Sequence, residues 1–186
     1  MPKRRATRTM TKLRCGAVPA GKWVKGVGPE MATTEVAFQC LGLRFETVLY
    51  WLPLAAAHPE EDIEPVHQLR VSLRRALTNL RAFRALLRRR PYDRLRSALR
   101  AILKGAGAAR DADVLLQRFH SCQTSPSPEI VAVVKRLEEE RRAAQEMILS
   151  AYRDYPPGWL RERFEETLGP LRESRPKRGE KVEAVF

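Results

Sequence analysis

The stretch EPVHQLRVSLRRALTNLRAFRALLRRR, residues 64–90, decides the fold. Its apolar side chains recur every three or four positions, the spacing that places side chains on one face of an α-helix. These residues are Leu69, Leu73, Ala76, Leu80, Phe83 and Leu87. Pro65 suits a first helical turn, whereas Pro91 disfavours helical geometry in the residue before it. We therefore predict an amphipathic helix from Ile63–Pro65 to about Arg90.

The rest of the chain repeats this pattern without any strand signal. Further helices are predicted over about Thr33–Ala57, Tyr92–Gly105, Asp111–His120, Glu129–Tyr152 and Trp159–Leu168. Pro53 is expected to kink or end the first of them early, and Gly105 or Gly107 to end or bend the third. Asp111 or Asp113 is the expected cap of the short stretch that follows. Four of the six predicted helices are the main ones, whereas Asp111–His120 and Trp159–Leu168 are short additional stretches. The fold class is thus all-α, a single four-helix bundle.

Three regions follow from composition. Residues 1–30 are expected to be a disordered basic arm, residues 31–155 the helical bundle, and residues 156–186 a Pro/Gly break, a short helix and a loose tail. The arm resembles a transit peptide in composition but has no clear amphipathic helix. An upstream start-site artefact, with the native chain beginning near Met31, is the alternative for these residues.

Composition excludes several classes of protein. Three cysteines at irregular spacing, with no CxxC, do not make a disulfide framework or a four-cysteine zinc site. No apolar run approaches the ~18 residues of a membrane span. Residues 16–22 match the GxxxxGK skeleton of a phosphate-binding loop, but Trp23 replaces the hydroxyl residue and no strand precedes it. The expected setting is the cytoplasm, with no membrane association.

Positive charge is concentrated in two places. The net charge is +13; residues 1–26 hold eight Lys/Arg and no acid, and residues 67–110 hold thirteen against Asp93 alone. On the second and third predicted helices the cations fall on a face largely separate from the apolar one. This cationic ladder consists of His67, Arg70, Arg74, Arg81 and Arg88, then Arg96, Arg100 and Lys104, while Arg75 points to one side. Rungs lie about one turn, ~5.4 Å, apart.

A ladder of this kind suits a polyanion. Like charges at i, i+4 destabilise a helix, and a ligand with regularly spaced negative charge would neutralise them. The alternative is a solvated face without function, since Arg is a good helix former. The absence of interleaved Glu favours the ligand.

Two motifs resemble the CHAD family, the conserved histidine α-helical domain. The first runs from Val66-His67-Gln68-Leu69-Arg70-Val71 through Arg74-Arg75 to Leu80-Arg81-Ala82-Phe83. The second, Gly107-Ala108-Ala109-Arg110-Asp111-Ala112-Asp113-Val114, resembles the family's GxxRDxDV segment. The resemblance covers about residues 36–152.

The resemblance implies a non-catalytic helical module that binds inorganic polyphosphate and resides at polyphosphate granules. Its phosphate-contacting candidates are His67, Arg70, Arg74, Arg75, Arg81 and Lys104, with Arg110 either binding or structural. Asp111 and Asp113 are expected to cap helices or to orient neighbouring arginines. The family has two similar halves, and only the first is recognisable here. Either two copies pair to rebuild the groove, or half a site binds weakly, or the chain is a truncated remnant.

Other chemistry has weaker support in the sequence. His58, His67 and His120 form no local ligand pair, so neither a metal nor another cofactor is expected, and no Ser or Cys has a base and an acid nearby. Nucleic acid is the rival ligand, although Phe83 and Tyr92 are the only aromatic residues among the cations of 67–110. A scaffold that docks an acidic protein partner is the other alternative.

Overall fold

The protein is a bundle of five α-helices in the computed structural model, which describes residues 24–57, 63–121 and 127–173. The helices are α1 Thr33–Ala57, α2 Glu64–Ala82, α3 Arg89–Ser121, α4 Pro128–Asp154 and α5 Pro157–Glu173. A 3-10 turn, Arg84–Leu86, joins α2 to α3. The predicted all-α fold class is confirmed. None of the helices within the described ranges is long and apolar enough to cross a membrane.

The first and last regions predicted from composition lie mostly beyond the described ranges. Residues 1–23 of the basic arm and residues 174–186 of the tail are outside them, so the expectations of disorder and looseness there stay predictions. Residues 24–32 form turns that lead into α1. The first helix has the predicted bounds, and Pro53 lies within it without ending it.

The predicted end of α2 was wrong, because the helix stops eight residues before Arg90. The backbone turns at Phe83, and Leu87 is extended, with φ −110° and ψ 143°. This break buries the Leu87 side chain, and the Arg84 guanidinium donates a hydrogen bond to the Leu87 carbonyl. Pro91 sits instead in the first turn of α3, where its missing N–H costs nothing.

The predicted break after Gly105 was also wrong, because α3 is continuous for 33 residues. A Cβ at Gly105 would lie 3.1 Å from the backbone nitrogen of Ile148 and 3.1 Å from the Met147 Cβ. This glycine therefore permits close packing of α3 on α4 rather than ending a helix. Asp111 and Asp113 lie inside α3, so the expectation that they cap a separate helix was wrong as well.

The fifth helix is longer than predicted and belongs to the common core. It continues past Gly169 and Pro170 to Glu173 and packs on α1 and α3. Phe164 stacks on Phe45 of α1 with ring centroids 4.1 Å apart. Leu160, Leu168 and Leu171 are buried in the same hydrophobic cluster as the apolar faces of α1, α2 and α3.

The first four helices pack in sequence order, α1 on α2, α2 on α3 and α3 on α4, so that α3 lies between α2 and α4. The six-residue connection at 83–88 and an ion pair between Arg70 and Asp111 make α2 and α3 antiparallel. The contact of Gly105 with Met147 and an ion pair between Asp113 and Arg141 do the same for α3 and α4. Both flanks of α3 are thereby fixed, which sets the geometry of the cationic ladder.

Candidate functional site

The two faces of α2 separate as its sequence predicts. Leu69, Leu73, Ala76 and Leu80 are fully buried, while Arg74 and Arg81 are exposed. At about 100° per residue, Arg74 and Arg81 fall within ~40° of the direction of Arg70, and His67 falls within ~60°. The core and the cations thus occupy different sides of one helix. A charge-reversing substitution at Arg74 or Arg81 therefore leaves the buried side chains of α2 in place.

The third helix places cations beside those of α2. Arg70 and Asp111 approach to 3.6 Å and fix the register of the two antiparallel helices. Counting forward on α2 and backward on α3 from this pair sets Arg81 level with Arg100, and Thr78 within one residue of Lys104. Arg100 and Lys104 are both exposed. The polar gap that Thr78 leaves on α2 is therefore filled by a lysine from α3.

Arg96 and Arg110 occupy the flank of α3 that faces α2. Both are half-buried, and helical geometry turns them about 60° and 100° from Asp111, on the side opposite to α4. Asp111 itself is largely exposed and lies across from Arg70. The structure thus brings seven predicted cations to one surface, His67, Arg70, Arg74, Arg81, Arg96, Arg100 and Lys104, with Arg110 at its edge.

Two predicted residues do not join this surface as expected. Arg88 was predicted on the same helix face as Arg81, but it lies between the 3-10 turn and α3, beyond the end of α2. Arg75 is turned about 140° from Arg70, toward α1 rather than α3. Its role in binding an anion stays a prediction, and its position on α2 separates it from the other cations.

Arg44 of α1 is a buried cation that the sequence analysis missed. Its side chain is 7% exposed and interacts electrostatically with Arg75. Burial lowers the pKa of the Arg44 guanidinium, and the positive charge of Arg75 lowers it further, against a smaller opposing effect of Cys40. The available signal in the sequence is an Arg that stands among the apolar residues of α1.

The imidazole of His67 has one unsatisfied nitrogen. His67 is half-buried in the first turns of α2, and its Nδ1 atom is buried without a hydrogen-bond partner among the described residues. The backbone N–H of His67 is already bonded to the carbonyl of Ile63. The ring lies near the N-terminal end of α2, about one turn before Arg70 and its ion pair with Asp111.

Asp113 anchors an ordered polar chain inside the bundle. Its Oδ1 accepts a hydrogen bond from Arg141 Nε at 2.6 Å, and both side chains are at most 10% exposed. Arg141 Nη1 donates to Gln145 Oε1 at 3.0 Å, and Gln145 Nε2 donates to the Ala55 carbonyl at 3.0 Å. This chain connects α3, α4 and α1. Asp113 orients an arginine of α4, not one of the cationic ladder.

The surface is built for electrostatic contact. Arginine side chains offer planar, bidentate donors that match phosphate oxygens, and each contact releases counterions from a polyanion. Among the described residues, Arg70 is the one cation of the ladder that has an acidic side chain within 4 Å. The described residues include no group of three or more His, Cys, Asp or Glu side chains that could hold a metal ion.

Comparison with known proteins identifies the family. The family model of the CHAD domain matches residues 39–185, which extends the match beyond the predicted 36–152 and across α5. No curated protein and no solved structure matches the chain. CHAD domains are linked in general to polyphosphate binding and are generally binding modules. With most of its length matched, and with helices α1–α5 arranged as described, the chain belongs to the CHAD domain family.

Proposed function

We propose that this chain binds inorganic polyphosphate through the cationic ladder on α2 and α3. The observation that carries the proposal is the pairing of the two helices, which sets Arg100 level with Arg81 and Lys104 within one residue of Thr78. A single helix would offer one row of cations with a gap at Thr78. Together the two helices offer a continuous basic surface along about four turns, or ~20 Å.

The proposed mechanism is multivalent electrostatic binding. Arg74 and Arg81 on α2, with Arg100 and Lys104 on α3, contact successive phosphates of the chain, and the guanidinium groups do so bidentately. The half-buried Arg70 and His67 bind at one end of the surface. Because CHAD domains are generally binding modules, we propose a non-catalytic role without a cofactor. We also propose a cytoplasmic location at polyphosphate granules.

Polyphosphate is favoured over nucleic acid by the placement of the aromatic side chains. Tyr92 is buried, and Phe83 packs against the hydrophobic core. Binding of single strands usually relies on bases stacked on exposed aromatic rings. A naked phosphate chain needs no such platform, so the aromatic-poor surface supports polyphosphate. Nonspecific nucleic-acid binding and docking of an acidic protein partner are the alternative functions.

The test is a charge reversal at Arg74 and Arg81. The double variant Arg74→Glu/Arg81→Glu should lose affinity for fluorescently labelled long-chain polyphosphate by at least tenfold, with an unchanged circular dichroism spectrum. The matched control is Arg153→Glu/Arg172→Glu, which changes net charge equally at exposed sites on α4 and α5. Equal losses in the two double variants would overturn the ladder as the binding site.

Competition separates the alternatives. Single-stranded DNA and heparin, at matched charge, should displace polyphosphate poorly, and the preference should persist at about 200 mM salt. Equal displacement by every polyanion would reduce the site to a nonspecific basic surface. Removal of residues 1–23 should leave polyphosphate affinity largely intact, whereas a nucleic-acid binder that uses the arm would lose most of its affinity.

Self-association is part of the proposal, because only one half of the family's usual pair is recognisable in the sequence. Two copies would bring two ladders to the same polyanion. Once one ladder of the dimer has bound a polyphosphate chain, the second ladder is held close to the same chain at high effective concentration. This raises the affinity for long chains without any new kind of contact.

A further inference from the structure

Most of the large apolar side chains that are exposed among the described residues lie on α3 and α4. There are six such side chains, and four of them are on these two helices: Leu115, Ile130, Val131 and Val133. Two residues turn a helix by ~200°, so Val131 and Val133 lie on opposite sides of α4 and the four do not form a single patch. Val133, which is 45% exposed, lies on the same side of α4 as Glu140.

A shallow groove follows the junction of α3 and α4, on the side of α4 that carries Glu140. Its volume is about 380 Å³, and apolar side chains form most of its walls, namely Ala108, Ala112, Leu115, Leu137, Ala143, Ala144 and Met147. Two carboxylates, Asp111 and Glu140, also line it. Alanines on both walls let another helix approach closely.

One stripe of α4 borders this groove with a regular spacing. Glu129, Val133, Arg136, Glu140, Ala143 and Met147 follow one another at intervals of four, three, four, three and four residues. Alternating three- and four-residue steps keep side chains on a single seam of a helix, as in coiled coils. All six are exposed except the half-buried Met147. The stripe therefore lies on the exposed flank of α4 that borders α3, and Met147 packs beside Gly105 near one end of it.

The four central positions of this stripe, Val133, Arg136, Glu140 and Ala143, are complementary to themselves in the antiparallel direction. When Arg136 of one copy is set against Glu140 of another, the same register sets Val133 against Ala143 and Glu129 against Met147. All six positions are then paired, and the charged pair occurs twice around a two-fold axis. Isologous contacts of this type are the commonest way in which identical chains associate.

We propose that a second copy of this chain docks on α4, antiparallel and across a two-fold axis near residue 138. In each copy Arg136 Nε already lies 3.1 Å from Glu140 Oε1 of the same helix, but both side chains are largely exposed. An exposed ion pair of this kind contributes little to stability. Replacing it by an ion pair between the two copies therefore costs little free energy. The inference does not depend on the identity of the polyanion.

The dimer leaves the cationic ladder uncovered. The pairing region spans residues 129–147, about 28 Å of helix, on the flank of α3 opposite to α2. With two apolar pairs and two charged pairs at its centre, the contact falls at the low end of specific interfaces, below about 1,200 Å² in total. We therefore expect a weak dimer whose mass depends on protein concentration in the micromolar range.

A charge-exchange experiment tests the register. Arg136→Glu sets two carboxylates against each other in its own dimer, and Glu140→Arg sets two guanidinium groups against each other. Each variant alone should dimerise at least tenfold more weakly than the parent chain. Mixed together, the two variants should form a heterodimer of near-parental affinity, because both contacts again join opposite charges. Sedimentation equilibrium over about 10–200 µM, with one variant carrying a fluorophore, measures all three species.

Matched controls separate this surface from the proposed function. Arg153→Glu, on the same helix but outside the stripe, should leave dimerisation unchanged. A parent chain that is monomeric across this concentration range overturns the inference, as does a mixture that associates no better than either variant alone. A monomeric parent chain would also remove self-association from the proposed function, but it would leave the ladder as the binding site, because polyphosphate is titrated separately against the Arg74→Glu/Arg81→Glu variant. That variant should dimerise normally.

Discussion

At the scale of residues, two aspartates two positions apart on α3 have different surroundings. Asp111 is largely exposed and lies 3.6 Å from Arg70, whereas Asp113 is 5% exposed and lies 2.6 Å from Arg141. Water and salt screen the first pair, but little reaches the second. Although the two side chains are chemically identical, their surroundings predict very different contributions to the free energy of unfolding.

Asp113→Ala should destabilise the fold by about 3 kcal/mol, because it removes the carboxylate from a buried guanidinium. Asp111→Ala is the matched control, and it should change the free energy of unfolding by less than about 1 kcal/mol. Urea denaturation followed by circular dichroism measures both. Comparable losses in the two variants would contradict the assignment of Asp113 as a structural anchor.

Sequence could place most cations of the ladder, although not Arg88, and it could not assign the partners of every charge. Helical spacing alone places Arg74 and Arg81 on one side of α2, since both depend only on local geometry. The association of Arg44 with Arg75 depends on how α1 packs against α2, and the pair of Asp113 with Arg141 joins residues 28 positions apart. Long-range packing of this kind has no local signal.

At the scale of elements, some helix ends could be predicted from the sequence and others could not. The bounds of α1 were predicted correctly, because a polar, proline-containing segment follows Ala57. The end of α2 was missed, because residues 84–90 contain good helix formers and no glycine. Burial of Leu87, together with the hydrogen bond from Arg84 to its carbonyl, decides where the chain turns. The burial is a tertiary effect, whereas the hydrogen bond joins residues three positions apart.

Alanine substitutions at the two glycines of α3 are expected to have opposite effects on stability. Gly105→Ala would place a methyl group 3.1 Å from the backbone of Ile148, where α4 cannot yield easily, and it should destabilise by about 1–3 kcal/mol. Gly107→Ala meets nothing within 4 Å and should stabilise by up to about 1 kcal/mol through helix propensity. Thermal unfolding of the two variants measures the difference. A stabilised Gly105→Ala variant would show that α3 and α4 are not in close contact.

At the scale of the whole molecule, α5 completes the core that α1 begins. The rings of Phe45 and Phe164 stack with an interplanar angle of 6°, and Arg161 of α5 reaches Glu46 of α1 at 3.2 Å. The Pro156-Pro157-Gly158 sequence allows the chain to reverse after α4 and return to the first helix. The sequence analysis predicted a short helix here, but not its place in the core.

Phe164→Ala should destabilise the whole bundle by about 3–5 kcal/mol, because it removes the aromatic contact between the first and last helices. Glu165→Ala, at the exposed neighbouring position, should change stability by less than about 0.5 kcal/mol. Guanidinium denaturation of both variants checks the prediction. If α5 were peripheral, the two substitutions would have equally small effects.

The separation of the buried and cationic faces of α2 also makes folding respond to ionic strength. Folding brings the arginines of α2 and α3 together on one surface with few acids among them, so the native state repels itself more than the unfolded chain does. Dissolved salt weakens that repulsion and raises the melting temperature. A bound polyanion acts in the same direction, so ligand binding and thermal resistance increase together.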